Sequence, residues 1–297
     1  MKKLITSMSL ILLFTLTIPL LSGCSPKETS IVVGAKDYTE QDVLGNILTV
    51  LIEENMEIKV DYKHEMASNI VFAAMQSGDV DVYIEYSGTV YANYLGYSEM
   101  KNADEVYDIS AKELKDKYKL LMLEPLGFNN TYCLAVKPAL AAEYNLRTYS
   151  DLAEVSDNFI FGGGFEILNR SDGIPELKKV YDLAFREERA IEGVLRYSAI
   201  ENDDTQVTEA FSTDGMLLEY NLVVLEDDKN FFPPYHAAPI IREETAQKYP
   251  ELVALLDKLT NTLSDDTMRD LNYKVDVLKQ HPRDVAVAFL KDNGLIQ

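Results

Sequence analysis

A chain of 297 residues with 47% hydrophobic side chains can pack a core, and it is longer than one core usually serves, so two lobes are expected. The net charge of −21 argues against nucleic acid and anionic lipid surfaces as partners; its simplest consequence is solubility.

Lys2, Lys3, an apolar run from Leu4 to Leu21 and the small-residue turn Leu21-Ser22-Gly23-Cys24 open the chain. A charged start followed by an apolar middle has the layout of a secretory signal, and the run is shorter and weaker than most stop-transfer helices. The turn has the form of a lipobox. In the bacterial lipoproteins that this leader resembles, the cysteine carries the lipid that anchors a domain to the outer face of the cell membrane. Residues 1–23 are therefore expected to be a lipoprotein signal peptide, Cys24 the lipidation site and 24–30 a polar tether; the alternative is an uncleaved anchor with an incidental cysteine. Either way the body is expected on the extracytoplasmic side. Loss of Lys2 and Lys3 leaves a net charge of −23 on 274 residues. Only Cys133 then remains as a thiol, which excludes an internal disulfide, and its apolar surroundings Tyr132-Cys133-Leu134-Ala135-Val136 suit a buried, inert side chain.

Ile31-Val32-Val33-Gly34 reads as the first strand. Thr39 with Asp42 has capping-box spacing, and Val43, Leu44, Ile47, Leu48, Leu51 and Ile52 recur at helical intervals. A strand at 58–62, a helix at 68–76 closed by Gly78 and a strand at 80–84 complete a βαβαβ run, which builds a largely parallel sheet with helices on both faces. A second alternating unit has a strand at 131–136, helices near 139–144 and 150–155, and a strand at 159–162. Asp172 is expected to cap a helix with Pro175 in its first turn; 191–200 reads as a helix, and 207–211 and 222–225 as strands. After Phe231-Phe232-Pro233-Pro234 the pattern is mostly helical, at 243–249, 251–260, 265–273 and 282–292. The expected organisation is one lobe from 31–129 plus 233–297, with a second lobe, 130–232, inserted into it.

Sheets of this kind bind ligands beyond the carboxyl ends of their strands, and Lys36, Thr89 and Arg170 stand at such strand-to-helix junctions. Helix amino termini there, together with two formal cations, suit a carboxylate or phosphate, although a solvated loop charge is the ordinary role of a lone Lys or Arg. Tyr86, Tyr132, Phe211 and Tyr235 lie beside the same loops. Each alone can be a packing residue. Four converging rings would present π faces that attract a quaternary ammonium.

Gly34-Ala35-Lys36, the run from Ser77 to Thr89, Asn129-Asn130-Thr131-Tyr132, Arg170-Ser171-Asp172-Gly173, Phe211-Ser212-Thr213-Asp214-Gly215, Phe231-Phe232-Pro233-Pro234-Tyr235 and Leu271-Asn272-Tyr273-Lys274-Val275-Asp276 follow one another in an order that resembles the osmoprotectant-binding lipoproteins of ABC importers, receptors for glycine betaine, carnitine and choline. The resemblance runs from about Ile31 to the C-terminus. It implies an α/β, two-lobed, type II periplasmic-binding-protein-like fold, each lobe a mostly parallel sheet flanked by helices, with the ligand in the interlobe cleft. It places an aromatic cage on Tyr86, Tyr132, Phe211 and Tyr235, a carboxylate clamp on Lys36, Thr89 and Arg170, and Asn130 in the lining. It also implies permease and ATPase partners; no cofactor and no metal are expected. The family usually has Tyr where Phe211 stands, and some members have Gln where Lys36 stands. Phe keeps the ring face but loses the hydroxyl. Lys36 and Arg170 together favour a carboxylate-bearing ligand such as glycine betaine, proline betaine, carnitine or ergothioneine over bare choline.

The competing class is a serine acyl-enzyme. Ser98-Glu99-Met100-Lys101 and Ser156-Asp157-Asn158 match the first two elements of the penicillin-recognising set, but no Lys-Thr-Gly follows, and Ser156-Asp157-Asn158 reads better as a turn. His64, His236 and His281 lack ligand-like neighbours at metal spacing, and Gly162-Gly163-Gly164 lacks the rest of a phosphate loop. A sensor lipoprotein that binds the same ligand without transport has the same sequence features.

Overall fold

The computed structural model describes residues 30–297 except 98, 100 and 170–172. Among the described residues ten strands form two five-stranded sheets: β1 (Ser30–Lys36), β2 (Lys59–Met66), β3 (Val82–Tyr86), β4 (Leu120–Met122), β5 (Tyr132–Val136), β6 (Ile160–Gly163), β7 (Glu187–Ala190), β8 (Val207–Phe211), β9 (Val223–Val224) and β10 (Ala237–Arg242). The first sheet has the order β2-β1-β3-β10-β4 and the second β7-β6-β8-β5-β9. Within each sheet one strand runs against the others, β10 in the first and β5 in the second. The reason is geometric. Tyr86 at the end of β3 is paired with Ala237 at the start of β10, and Phe211 at the end of β8 with Tyr132 at the start of β5. A chain arriving from the other sheet enters at the end where the parallel strands stop, so it must run back against them.

β3 is buried along its whole length, as a strand covered on both faces must be. Its alternate residues Val82, Ile84 and Tyr86 join the core beneath helix Thr39–Asn55, while Tyr83 joins the core on the opposite face. Helix Thr39–Asn55 in turn packs against helix Pro282–Asp292, so the C-terminal segment shares one hydrophobic core with the N-terminal strands. The second sheet has its own cores, around Leu134, Phe161 and Val207 on one side and Cys133 and Ala210 on the other.

Several local expectations need correction. Thr39 and Asp42 form no capping box: Tyr38 is the N-cap, the Thr39 hydroxyl donates to Asp276 Oδ1 (2.6 Å), and Asp42 Oδ1 accepts from the Tyr62 hydroxyl (2.6 Å). A capping box does form at Thr148 and Asp151. The helix containing Pro175 spans Ile174–Tyr181 with Gly173 at its N-cap, and Asp172 lies outside the described residues. Residues 191–194 are not helical; the helix is Leu195–Glu201, preceded by β7. Helix Ala103–Tyr118 and strands β4, β7 and β10 were not anticipated. No described helix is long and apolar enough to cross a membrane.

Candidate ligand-binding site

A cavity of about 550 Å³ is lined from both sheets and from the two segments that connect them. Tyr86 ends β3 on the face of helix Thr39–Asn55 and is only 4% exposed. Tyr235 immediately precedes β10, and Gly88 lets it approach: a Cβ at that position would come within 2.7 Å of both the Tyr235 ring and the Pro234 carbonyl. On the second sheet Tyr132 and Phe211 are cross-strand partners in β5 and β8, with ring centroids 4.7 Å apart and planes tilted by 33°. The ladder register thus brings two rings together at the cavity edge of the second sheet.

The connecting segments lie side by side at the base of the cavity. Asn130 N–H donates to the Tyr235 carbonyl (3.2 Å), Tyr235 N–H to Asn129 Oδ1 (2.6 Å) and the Thr131 hydroxyl to the Pro233 carbonyl (3.2 Å). Ser212, one residue beyond β8, donates its hydroxyl to the Asn129 carbonyl (2.5 Å) and accepts from Thr131 N–H (3.1 Å). These bonds satisfy backbone groups that no sheet ladder reaches, and they fix where Asn130, Tyr132 and Tyr235 stand.

Lys36 lines the cavity but is not an uncommitted cation. Period-two alternation puts Lys36 at the end of β1 and Glu85 in β3 on one face of adjacent strands, and the two form a buried ion pair, 4% and 0% exposed. Glu85 also accepts from the hydroxyls of Tyr83 (3.0 Å) and Tyr94 (2.7 Å) and from Tyr86 N–H (2.8 Å). The Lys36 ammonium lies 5.1 Å from the centre of the Tyr86 ring. Glu40, in the first turn of helix Thr39–Asn55, is a second buried carboxylate. It accepts from the Tyr86 hydroxyl (2.6 Å), Asn130 Nδ2 (2.9 Å) and Asn272 Nδ2 (3.0 Å). Burial raises its pKa, and these donors oppose that shift only in part. Asp214 and Asp276 also line the cavity, so among the described lining residues acids outnumber the single Lys36.

Seven of the eight residues singled out for ligand contact, Lys36, Tyr86, Thr89, Asn130, Tyr132, Phe211 and Tyr235, therefore line one cavity; Arg170 lies outside the described residues, as does Cys24. Sequence reasoning missed Glu40, Glu85, Thr213, Asp214 and the Asn272 and Asp276 pair on helix Asp265–Asp276. Glu40 offered one signal: an acid in the first turn of an otherwise apolar stripe. Of the enzyme decoy, Ser98 lies outside the described residues, Lys101 pairs with Glu99 (3.5 Å), and Ser156–Asn158 is a 3₁₀ turn whose serine hydroxyl donates to the Ala153 carbonyl and accepts from Ala184 N–H. Cys133 is buried and free, and burial pushes its thiol up.

The family model described as the substrate binding domain of the ABC-type glycine betaine transport system matches residues 29–292. The chain belongs to this family. An ergothioneine transport permease/ergothioneine binding protein of Helicobacter pylori is 39% identical over 270 residues, covering 91% of this chain and 48% of that protein, so the chain spans about half of it. A carnitine transport binding protein of Listeria monocytogenes is 33% identical over 306 residues, 100% of this chain and 99% of its own. Among solved structures, a glycine betaine/carnitine/choline ABC transporter structure superposes with a TM-score of 0.87 at 31% identity, covering 90% of this chain and 100% of that one. The fold is accordingly the type II binding-protein fold, as the sequence resemblance implied. Members of the family are extracytoplasmic substrate-binding proteins that hand a small ligand to a permease and its ATPase.

Proposed function

We propose that this protein captures a quaternary ammonium compound bearing a carboxylate and delivers it to an ABC permease and ATPase. The observation that carries this reading is the meeting of Tyr86, Tyr132, Phe211 and Tyr235 around one cavity whose described charged lining is acid-rich. Ring faces attract a cation that has no N–H to donate to its surroundings, and nearby carboxylates strengthen that preference. Because Glu85 takes the charge of Lys36, the ligand carboxylate falls chiefly to Arg170 with Thr89, and Asn130 completes the lining. Glycine betaine, carnitine and ergothioneine, the ligands named for the relatives, all combine a trimethylammonium with a carboxylate. The lobes divide as 31–129 plus 233–297 and 130–232. Residues 1–23 form a signal peptide, and lipid on Cys24 holds the domain at the outer face of the cell membrane through the tether 24–30.

Calorimetry of residues 25–297 against glycine betaine, proline betaine, carnitine, choline and ergothioneine tests the reading. Saturable binding with a carboxylate-bearing member preferred over choline is expected; no binding to any of them sinks it. Arg170→Ala is expected to weaken the carboxylate-bearing ligands by roughly ten- to a hundredfold, the loss of one charge-assisted contact, while sparing choline. For the anchor, Cys24→Ala is expected to move the full chain out of the detergent phase in a phase-separation assay; equal partitioning with the unaltered chain counts against lipid at that residue.

A further inference from the structure

Glu40 is 3% exposed, lines the cavity, and is bonded by neutral groups: the hydroxyls of Thr213 and Tyr86 and the amides of Asn130 and Asn272. Among the described residues no Lys or Arg forms an ion pair with it, and the one Lys among the described lining residues, Lys36, is turned to Glu85. A buried carboxylate left without a counter-ion is costly, which is why burial raises its pKa, and a cation bound nearby would favour its ionised form. One of its donors, at 2.6 Å, is the hydroxyl of Tyr86, whose ring the proposed ligand would face. A phenol that donates to a carboxylate passes electron density back into its ring, which raises the ring's pull on a cation. Asn272 extends the same group toward the second lobe, since its Nδ2 also donates to the Thr213 carbonyl (2.9 Å).

We propose that Glu40 is a positioning and charge-selecting residue: acting through the Tyr86 ring, it supplies the counter-charge of the bound cation, so that the cavity distinguishes a quaternary ammonium from an uncharged group of the same shape. The inference rests on the quaternary-ammonium reading above and assigns part of its selectivity to a residue that acts through the Tyr86 ring.

The test compares the unaltered domain and Glu40→Gln against glycine betaine and its carbon isostere 3,3-dimethylbutanoate, which replaces N⁺ by carbon at constant shape. Both proteins are first checked for a native circular dichroism spectrum, and Glu40→Asp serves as the charge-keeping control. The expected result is a loss of at least tenfold in glycine betaine affinity for Glu40→Gln, little change for the isostere, and recovery of part of the preference in Glu40→Asp. Equal losses for both compounds would assign Glu40 a merely structural role and overturn the proposal, as would a glycine betaine affinity within twofold of the unaltered domain. If the unaltered domain binds no quaternary ammonium compound at all, the reading of function fails first, and this proposal with it.

Discussion

The ammonium of Lys36 and the carboxylate of Glu85 are both out of water, so each is tolerated because the other is present. Lys36→Ala is therefore expected to act first on stability: removing one partner of a buried pair costs about 3–5 kcal/mol, which urea denaturation of the domain would read directly. A loss of binding with unchanged stability would instead mean that Lys36 serves the ligand. The cage rings differ from one another by the same kind of reasoning. The Tyr86 hydroxyl donates to Glu40, so Tyr86→Phe strips a buried carboxylate of a donor and is expected to cost about 1–3 kcal/mol. Phe211 has no hydroxyl and is 37% exposed, so Phe211→Tyr is expected to leave affinity within a few-fold. Phe211→Leu removes the π face and is expected to cost about 0.5–2 kcal/mol of ligand affinity by calorimetry. If Phe211→Leu binds as well as the unaltered domain, its ring is no part of a cage.

Elements are held by local devices whose loss is measurable one at a time. Thr148 caps helix Tyr149–Ala153 by accepting from Asp151 N–H (3.0 Å), and Asp151 returns the bond to Thr148 N–H (3.0 Å) and adds Arg147 N–H (2.9 Å). Thr148→Ala is expected to cost about 1 kcal/mol in thermal or urea unfolding. The backbone donors from Arg147 and Thr148 hold the Asp151 carboxyl below its usual value. A depressed acid contributes stability that is fully present above the unfolded pKa of about 3.9 and is lost as pH falls through the lower folded value. Asp151→Asn is therefore expected to unfold with less acid dependence below about pH 4, whereas an unchanged acid limb would show that this carboxylate contributes little. The same local logic explains what was legible in the sequence. Residues 39–55 show a broad apolar stripe and 207–211 a compact strand, and both appear where their patterns put them. β10 carries Pro239 in its middle, which argues against a central strand, yet it lies between β3 and β4. β7 reads Glu-Glu-Arg-Ala at a sheet edge and has no apolar alternation to find. Helix Ala103–Tyr118 buries only Val106, Ser110 and Leu114, a stripe too thin to stand out. At the cavity, strand ends were legible because Tyr86, Tyr132 and Phe211 terminate or open apolar runs. The Lys36–Glu85 pair was not, since it depends on strand order and facing.

At the scale of the molecule, the lobes meet along a seam beside the cavity where the loop after β8 presses on helix Asp265–Asp276. Arg269 donates from Nε (3.0 Å) and Nη2 (2.6 Å) to the Ser212 carbonyl, and Asn272 Nδ2 donates to that of Thr213. Gly215 then passes so close to the helix that a Cβ there would stand 2.6 Å from Tyr273 N and 2.7 Å from its Cα. That contact is with backbone, so no rotamer change relieves an added methyl, and one side of the seam must shift. Overpacking of this kind costs about 1–3 kcal/mol, of which 1.4 kcal/mol corresponds to a tenfold change in an equilibrium constant. The cores of the two lobes lie away from the seam, around Leu134 and Phe161 in one and Ile47 and Ile84 in the other, so the change should alter how the lobes sit rather than whether each folds. Gly215→Ala is therefore expected to lower ligand affinity about tenfold, with a native circular dichroism spectrum and a larger radius of gyration in small-angle scattering. Unchanged affinity and unchanged radius would show that the loop yields locally and that the seam does not set the cavity.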